Sequence, residues 1–284
     1  FAHDWANPEN TFRSWDMVAR YVVPEINGYL ASMRRSQQHV IENRAVFDRA
    51  GEAIMAKIME NESAAAALAA RLPGAQALPS LDLPLPPADV YLLAVPDAAV
   101  APLLATTTWP AGALVAHLAG ALPLSVFETQ PAVRGGVFYP LQTFSPGRTI
   151  DWPAVPLCIE AADLGSETTL LALAASLSQQ VRRLDSAQRL KLHVAAVFAN
   201  NFTNHLLGIA NALLVEADLP PTLLAPLVRE TVAKGLAYPP FAVQTGPAVR
   251  HDAPTLAAHE AALAAHPAWQ RLYARLTASI QAQL

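Results

Sequence analysis

The sequence predicts an α/β layer followed by an all-α region, with a helical segment ahead of both. Composition changes abruptly near residue 62, since 16 of the first 62 residues are charged but only 26 of the remaining 222. Short apolar runs alternate with helical patterns from residue 89 to residue 160. From about Asp163 onward the pattern is almost entirely helical. We therefore expect a parallel sheet with helices, a C-terminal helical domain and an N-terminal helical segment.

The N-terminal segment is predicted to be helical because its apolar residues recur at helical spacing. The first stripe consists of Trp15, Val18, Ala19 and Val22. Pro24 ends or kinks this helix, and a second helical pattern starts near Ser36. All four methionines but only two of the 24 prolines precede residue 63, which supports a domain boundary there.

The middle of the chain carries the strand signals. Residues 89–95 form a short apolar run of the kind that is buried on both faces of a parallel sheet. Pro96 ends this run, and Asp97 is predicted to cap a helix over residues 98–105. Further strands are predicted at 114–117, 136–139 and 155–160.

The last third of the chain is predicted to be a helical domain. Its helices are expected at 163–180, 186–216, 219–235, 254–265 and 267–283, with a turn-rich break between residues 235 and 250. Clefts between an α/β layer and a helical bundle often bind small ligands. We therefore expect a small-molecule substrate in such a cleft.

Composition excludes several classes of protein. A hydrophobic content of 53% excludes disorder as the main state, and a net charge of −4 argues against nucleic-acid binding. The lone Cys158 is predicted to be a buried apolar residue and is compatible with a cytoplasmic location. Prolines interrupt the nearly uncharged stretch between Asp97 and Glu128, so no membrane span is expected. The histidines lack metal-ligand spacing, so no metal is expected.

Polar side chains on the long helix are the first candidate site. At 100° per residue, His193, Asn200 and Asn204 share one face, and Asn201 and His205 flank it. Buried amides must find partners, so this stripe predicts a functional site, a polar network between packed helices or a solvated face.

Three further candidates lie in turns or at strand ends. Gln142 and Thr143 follow a predicted strand, where open α/β folds bind ligands, or they cap their own turn. His117 has the same placement, with a satisfied core histidine as the alternative. A later turn holds Gln244 and Arg250; Arg250 could bind an anion or pair with the nearby Asp252.

From about residue 62 to residue 284 the chain resembles a Rossmann-like oxidoreductase family with a C-terminal domain of unknown function. That family is related to ketopantoate reductases and deazaflavin-dependent NADP reductases. Four segments carry the resemblance in order: 88–97, 139–145, 196–205, and 244–248 with Arg250.

The resemblance implies a nucleotide-binding domain and a helical domain that supplies the substrate pocket and the interface of a homodimer. It implies NADP or NAD as cofactor, held near Pro96, Asp97 and His117. In the related ketopantoate reductases a lysine on the long helix is the acid/base, and His193 lies where that lysine would be. Asn201 lies eight residues on, whereas Val197 replaces the family's first asparagine. The implied substrate-binding residues are His117, Gln142, Thr143, Asn200, Asn204, His205, Gln244 and Arg250.

The chain departs from that family at its front. The glycine-rich turn that holds a cofactor pyrophosphate is missing, since no G-x-G-x-x-G occurs in the sequence. Residues 1–61 instead resemble the C-terminal tail of luciferase-like flavin-dependent monooxygenases, on segments 5–9 and 13–24. A sheet without its first strand would expose an edge, which we expect the N-terminal helices or a partner chain to cover.

The sequence thus predicts three regions: an N-terminal helical segment (1–61), a truncated Rossmann-like α/β domain (62–162) and a C-terminal helical domain (163–284). The first functional hypothesis is an NAD(P)-dependent oxidoreductase that transfers hydride to a small polar keto or imine substrate, with dinucleotide affinity weakened by the missing loop. The alternative is a non-enzymatic, dimerising helical binding or scaffold module.

Overall fold

The computed structural model of the chain describes residues 69–70, 74–78, 85–145 and 148–283. The predicted N-terminal helices, and the monooxygenase-like segment with them, lie outside the described residues. The strands within these ranges are β1 (Tyr91–Leu93), β2 (Leu114–His117), β3 (Arg134–Pro140), β4 (Leu157–Ala161) and β5 (Val181–Arg183). The α-helices are α1 (Asp97–Thr106), α2 (Leu164–Leu177), α3 (Ser186–Ala196), α4 (Thr203–Glu216), α5 (Ala225–Ala237), α6 (Ala253–Ala262) and α7 (Pro267–Gln281).

The five strands form one sheet in the order β1-β2-β3-β4-β5. The β1–β2, β2–β3 and β4–β5 pairs are parallel, whereas β3 and β4 are antiparallel. The predicted fold class is confirmed: a mainly parallel sheet with helices precedes a helical region. The sheet departs from parallel pairing between β3 and β4, because β4 returns directly beside β3 without a crossover helix. Among the described residues β1 is an edge strand, and Leu92 on it is 44% exposed.

Apolar side chains cover both faces of the sheet, as expected for an α/β layer. On one face Leu114, Phe138 and Ile159 pack with Leu170 of α2. On the opposite face Val115 packs with Val100 and other apolar residues of α1. Cys158 is 2% exposed, so its predicted burial is confirmed.

One strand was not predicted, and one local prediction is wrong. Strand β5 lies in the gap between the helices expected at 163–180 and 186–216, and its three residues are too few to show a periodic pattern. Asp97 does not cap α1, since the helix begins at Asp97 itself and Pro96 takes the N-cap position without a side-chain bond. The Asp97 carboxylate still lies in the first turn, where the helix dipole favours it.

The predicted long helix over residues 186–216 is interrupted. A π-helical segment, Val197–Phe202, separates α3 from α4. Such segments are rare and are often found at functional sites. Because a π turn breaks the 100° spacing, that spacing by itself no longer places His193 with Asn200 on one face.

The chain divides into two compact units between Val197 and Phe198. The second unit contains α4 to α7. Within it Glu216 contacts His266 at 2.8 Å, and the His259 Nδ1 atom lies 2.8 Å from the Tyr273 hydroxyl. None of the helices in the described ranges is both long and apolar enough to cross a bilayer.

A buried ion pair fixes α3 to the sheet. Arg189 of α3 is 1% exposed, and its Nη1 atom donates to the Glu160 carboxylate of β4. Its Nη2 atom donates to the Leu122 carbonyl, in the segment that follows β2. We call Glu160, Ser186, Arg189 and the backbone of residues 122–124 the Glu160 clamp.

Ser186 completes the clamp at the first residue of α3. Its backbone N–H and its hydroxyl donate to Glu160, at 3.0 and 2.9 Å. The same hydroxyl oxygen accepts from the Leu124 N–H at 2.9 Å. Ser186 and Arg189 therefore bind both the Glu160 carboxylate and the backbone of residues 122–124, and the start of α3 is fixed in position and direction.

Removing the cation of the clamp should destabilise the protein strongly. We expect Arg189→Met to lower the free energy of unfolding by about 3–5 kcal/mol, because the Glu160 carboxylate is left without its cation in a largely buried place. Urea unfolding measures this loss. The matched control is Arg183→Met, which removes an ion pair with Glu167 whose arginine is 66% exposed, and we expect about 1 kcal/mol or less. Equal losses in the two variants would contradict the role of the clamp.

Candidate functional site

Strand alternation places three polar side chains on one face of the sheet. Val137 pairs with His117 on one side and with Glu160 on the other. Successive side chains of a strand point to opposite faces, so Tyr139 shares the face of Val137. His117, Tyr139 and Glu160 therefore lie on one face, and Val137, Tyr139 and Cys158 pack there with Leu192 of α3.

His117 is the last residue of β2 and is fully buried. Its Nδ1 atom accepts from the Ala119 N–H at 3.2 Å, so the neutral ring carries its proton on Nε2. Nε2 finds no hydrogen-bond partner among the described residues, and the ring is stacked on Phe127. Burial, aided by the nearby Arg189 cation, lowers the pKa of His117 to about 4. The ring is therefore neutral at physiological pH and holds the backbone that follows β2.

Gly120 brings three segments into close contact. The Tyr139 hydroxyl lies 3.1 Å from the Nδ1 atom of His193, on the last turn of α3. A β-carbon at Gly120 would lie 2.4 Å from that Nδ1 atom and 2.9 Å from the Tyr139 ring. The missing side chain therefore leaves room for the Tyr139–His193 pair. We call Gly120, Tyr139 and His193 the carboxyl-edge cluster, because it lies where β2 and β3 end.

The surroundings of Tyr139 keep its hydroxyl protonated. Burial raises the pKa of Tyr139 above its ordinary value of 10.0, with smaller contributions from Cys158 and Asp97. Burial also raises the pKa of the Cys158 thiol. Both groups are neutral at physiological pH, so Tyr139 can act as a hydrogen-bond donor.

The described helix N-termini do not fit a dinucleotide pyrophosphate. In nucleotide-binding α/β folds this group sits on a helix N-terminus that follows a strand. Here the helices after β1, β4 and β5 each begin at a carboxylate: Asp97 in the first turn of α1, Asp163 capping α2 and Asp185 capping α3. No glycine lies between β1 and α1. Like charges repel, so none of these three N-termini is open to a phosphate.

The candidates after β3 belong to a turn. The Gln142 side chain accepts from the Thr143 N–H at 2.8 Å, and both residues are exposed. This contact matches the alternative that the turn caps its own backbone. Their proposed role in substrate binding stays a prediction.

The candidates of the second unit are exposed. Asn200 and Asn201 lie in the π-helical segment, and Asn204 and His205 lie on the first turn of α4. Exposure of all four fits the alternative of a solvated face and leaves them open to a ligand.

The remaining turn is organised by Asp252 rather than by Arg250. Asp252 caps α6 by accepting from the N–H and hydroxyl of Thr255, at 3.2 and 2.8 Å, and these bonds lower the pKa of its carboxyl. Arg250 is exposed, and Gln244 donates to the neighbouring Thr245 carbonyl. Arg250 forms no ion pair with Asp252 in the part of the chain that the structure describes.

Comparison with known proteins places the chain in a family. A family model described as a domain of unknown function, DUF2520, matches residues 155–280. A Bacteroides fragilis protein of known structure, assigned to the NADP oxidoreductases, is 41% identical. The match covers 68% of this chain and 75% of that chain, with a TM-score of 0.64. This chain belongs to the Rossmann-like family that carries the DUF2520 domain.

A more distant structure shares the fold of this family. A Thermotoga maritima protein is 18% identical over 68% of this chain and 76% of that chain, with a TM-score of 0.54. No curated protein matches the sequence. The resemblance seen in the sequence is thus confirmed at the level of the Rossmann-like DUF2520 family, and the narrower likeness to ketopantoate reductases stays a prediction.

Sequence reasoning missed Gly120, Tyr139 and Arg189 as parts of the site region. In the sequence, Tyr139 was noted only as the last residue of a predicted strand and the first of a family-like segment. Its place at a strand end, like that of His117, could have marked it as a candidate site residue. Arg189 and Glu160 are 29 residues apart, and no pattern in the sequence pairs them. No group of His, Cys, Asp or Glu side chains in the described ranges is arranged to hold a metal ion.

The buried His117 should make stability depend on pH. Its pKa is lower in the folded chain (about 4) than its ordinary 6.5, so the unfolded chain binds the proton first as pH falls. The contribution of His117 to the free energy of unfolding is therefore fully present above pH 6.5. It is lost as the pH falls toward 4, by up to about 3 kcal/mol. Urea unfolding at several pH values should give wild type a steeper decline than His117→Asn. Parallel curves would contradict this prediction.

Proposed function

We propose that the chain is an NAD(P)-dependent oxidoreductase-like protein that reduces a small polar keto or imine substrate, with His193 as proton donor. The 41% identical relative assigned to the NADP oxidoreductases supports the reaction class. The supporting observation in this chain is the position of His193, half-buried against Gly120 where β2 and β3 end. Ligands of open α/β sheets bind at that edge.

The proposed chemistry needs little from the protein itself. Reduction of a keto or imine group adds a hydride at carbon, which a nicotinamide would supply when bound, and a proton at oxygen or nitrogen. Imidazole is the side chain best suited to give a proton near neutral pH. In this proposal substrate binding also involves the residues that the family resemblance implies: Asn200, Asn201, Asn204, His205, Gln244 and Arg250. Because the described helix N-termini reject a pyrophosphate, we expect weakened dinucleotide affinity.

Calorimetric titration with NADPH and NADH tests the proposal. We expect measurable binding of NADPH or NADH, with a dissociation constant that is micromolar (about −8 kcal/mol) at its tightest. His193→Gln should bind NADPH as wild type does, because His193 is assigned to the substrate. With a panel of small keto acids and imines, wild type should oxidise NADPH and His193→Gln should lose most of that activity. Absence of heat at millimolar cofactor would overturn the proposal.

A specific observation favours a second candidate, a non-enzymatic module that dimerises through its C-terminal helices. Several large apolar side chains of the second unit are exposed: Val215 (64%), Leu227 (62%), Leu236 (84%) and Phe241 (70%). Where such side chains lie together they can form an interaction surface, and this supports the candidate. The proposed occupant is a second copy of the chain, in a cytoplasmic homodimer that could also serve the enzyme.

Sedimentation velocity of the full chain tests the homodimer. We expect a dimer for wild type and a monomer for the double variant Leu227→Glu/Leu236→Glu, because each carboxylate would be desolvated in the interface. The matched control is Leu164→Glu, at an 82% exposed leucine of the first unit, which should stay dimeric. A monomeric wild type would contradict the proposed interface.

A further inference from the structure

Tyr139 is the one group in the described ranges that makes a hydrogen bond to the His193 ring. Its hydroxyl lies 3.1 Å from Nδ1, and the two rings meet edge to face with centroids 6.0 Å apart. Tyr139 itself is 4% exposed, in the middle of a sheet face, so its ring has little freedom to move. The contact therefore links the His193 ring to the sheet.

Gly120 lies against the His193 ring, and two other contacts fix the backbone segments on which Gly120 and His193 lie. Gly120 lies so close that a β-carbon there would be 2.8 Å from Cγ of His193. The backbone before Gly120 is held by His117, which accepts from the Ala119 N–H. One helical turn earlier on α3, Arg189 fixes that helix to Glu160. The position of α3, the close approach of Gly120 and the bond to Tyr139 of β3 thus together limit where the imidazole lies.

We propose that Tyr139 is a positioning residue that donates its hydroxyl proton to Nδ1 of His193 and so keeps the proton of the neutral imidazole on Nε2. A ring nitrogen that accepts a hydrogen bond carries no proton, so the neutral ring must carry its proton on the other nitrogen. The raised pKa of Tyr139 supports this direction, because the phenol stays protonated. Nε2–H is the group turned away from Tyr139.

This inference rests on the proposed function, since the orientation of His193 matters to a reaction only if His193 gives the proton. A neutral imidazole gives a hydrogen bond through its one N–H group, and transfer of a proton requires the doubly protonated ring. A neutral ring that could place its proton on either nitrogen would present Nε2–H to the substrate as a hydrogen-bond donor only part of the time. A hydrogen bond from a neighbouring hydroxyl to Nδ1 fixes the proton on Nε2. In histidines generally, the hydrogen bond that one ring nitrogen makes decides whether the other carries the proton.

Nitrogen NMR of the full chain with labelled histidine tests the proposal without any turnover. His193→Gln identifies the His193 signals. At about pH 8.5, above the ordinary imidazole range, wild type should show Nδ1 as the unprotonated nitrogen and Nε2 as the protonated one. A proton on Nδ1 of the wild-type ring would overturn the proposal, whatever the variants do.

Tyr139→Phe removes the hydroxyl and keeps the ring against His193. We expect the ratio of the Nε2–H to the Nδ1–H form to fall by roughly fivefold, the effect of one ordinary hydrogen bond. The matched control is Tyr91→Phe, which deletes a hydroxyl that donates to the Pro86 carbonyl at 2.7 Å and should leave the His193 signals unchanged. An unchanged ratio in folded Tyr139→Phe, checked by circular dichroism, would also overturn the proposal.

Gly120→Ala gives an independent second test. The added methyl group would overlap the imidazole, so the His193 ring must move away and lose its contact with Tyr139. We expect the same change of tautomer ratio as in Tyr139→Phe, and wild-type signals in this variant would count against the proposal. If NADPH binding fails while the tautomer result holds, the proposed function falls and the assigned contact stands.

Discussion

The ion pair between Arg189 and Glu160 is the interaction on which the site region depends. The guanidinium of Arg189 on α3 is 1% exposed, so its charge must be balanced. The Glu160 carboxylate on β4 balances it. The same guanidinium binds the Leu122 carbonyl, so the segment after β2 and the start of α3 are fixed together. The position of His193, one turn after Arg189, follows from this pair.

The charge of Arg189 also acts on neutral groups nearby. It adds to the lowering of the His117 pKa, which is mainly caused by burial, and it partly opposes the rise in the pKa of Tyr139. The outcome is a face with one balanced ion pair and two groups that stay neutral at physiological pH. The cation of this face is already paired, so it is not free to balance a further anion.

Helices and strands with a long apolar pattern in the sequence were predicted well, and those with a short pattern were not. The 14-residue helix α2 and the buried strand β2 follow from apolar periodicity and were predicted closely. Strand β5, with three residues, gave no such signal. The start of α1 was missed by one residue, because Pro96 and Asp97 both suit a helix start and local sequence does not choose between them. The π-helical segment has an ordinary helical composition, so only the backbone geometry reveals it.

The sequence by itself determined the fold class and the family, because these depend on periodicity and on motifs within a few residues of each other. Tertiary structure alone decided what surrounds His193. Tyr139 is 54 residues away in the chain, and the antiparallel β3–β4 register decides that Tyr139 and Glu160 share a face. The close approach of Gly120 is likewise invisible in sequence. Contacts between distant segments depend on strand order and helix placement, and these are properties of the whole packed chain.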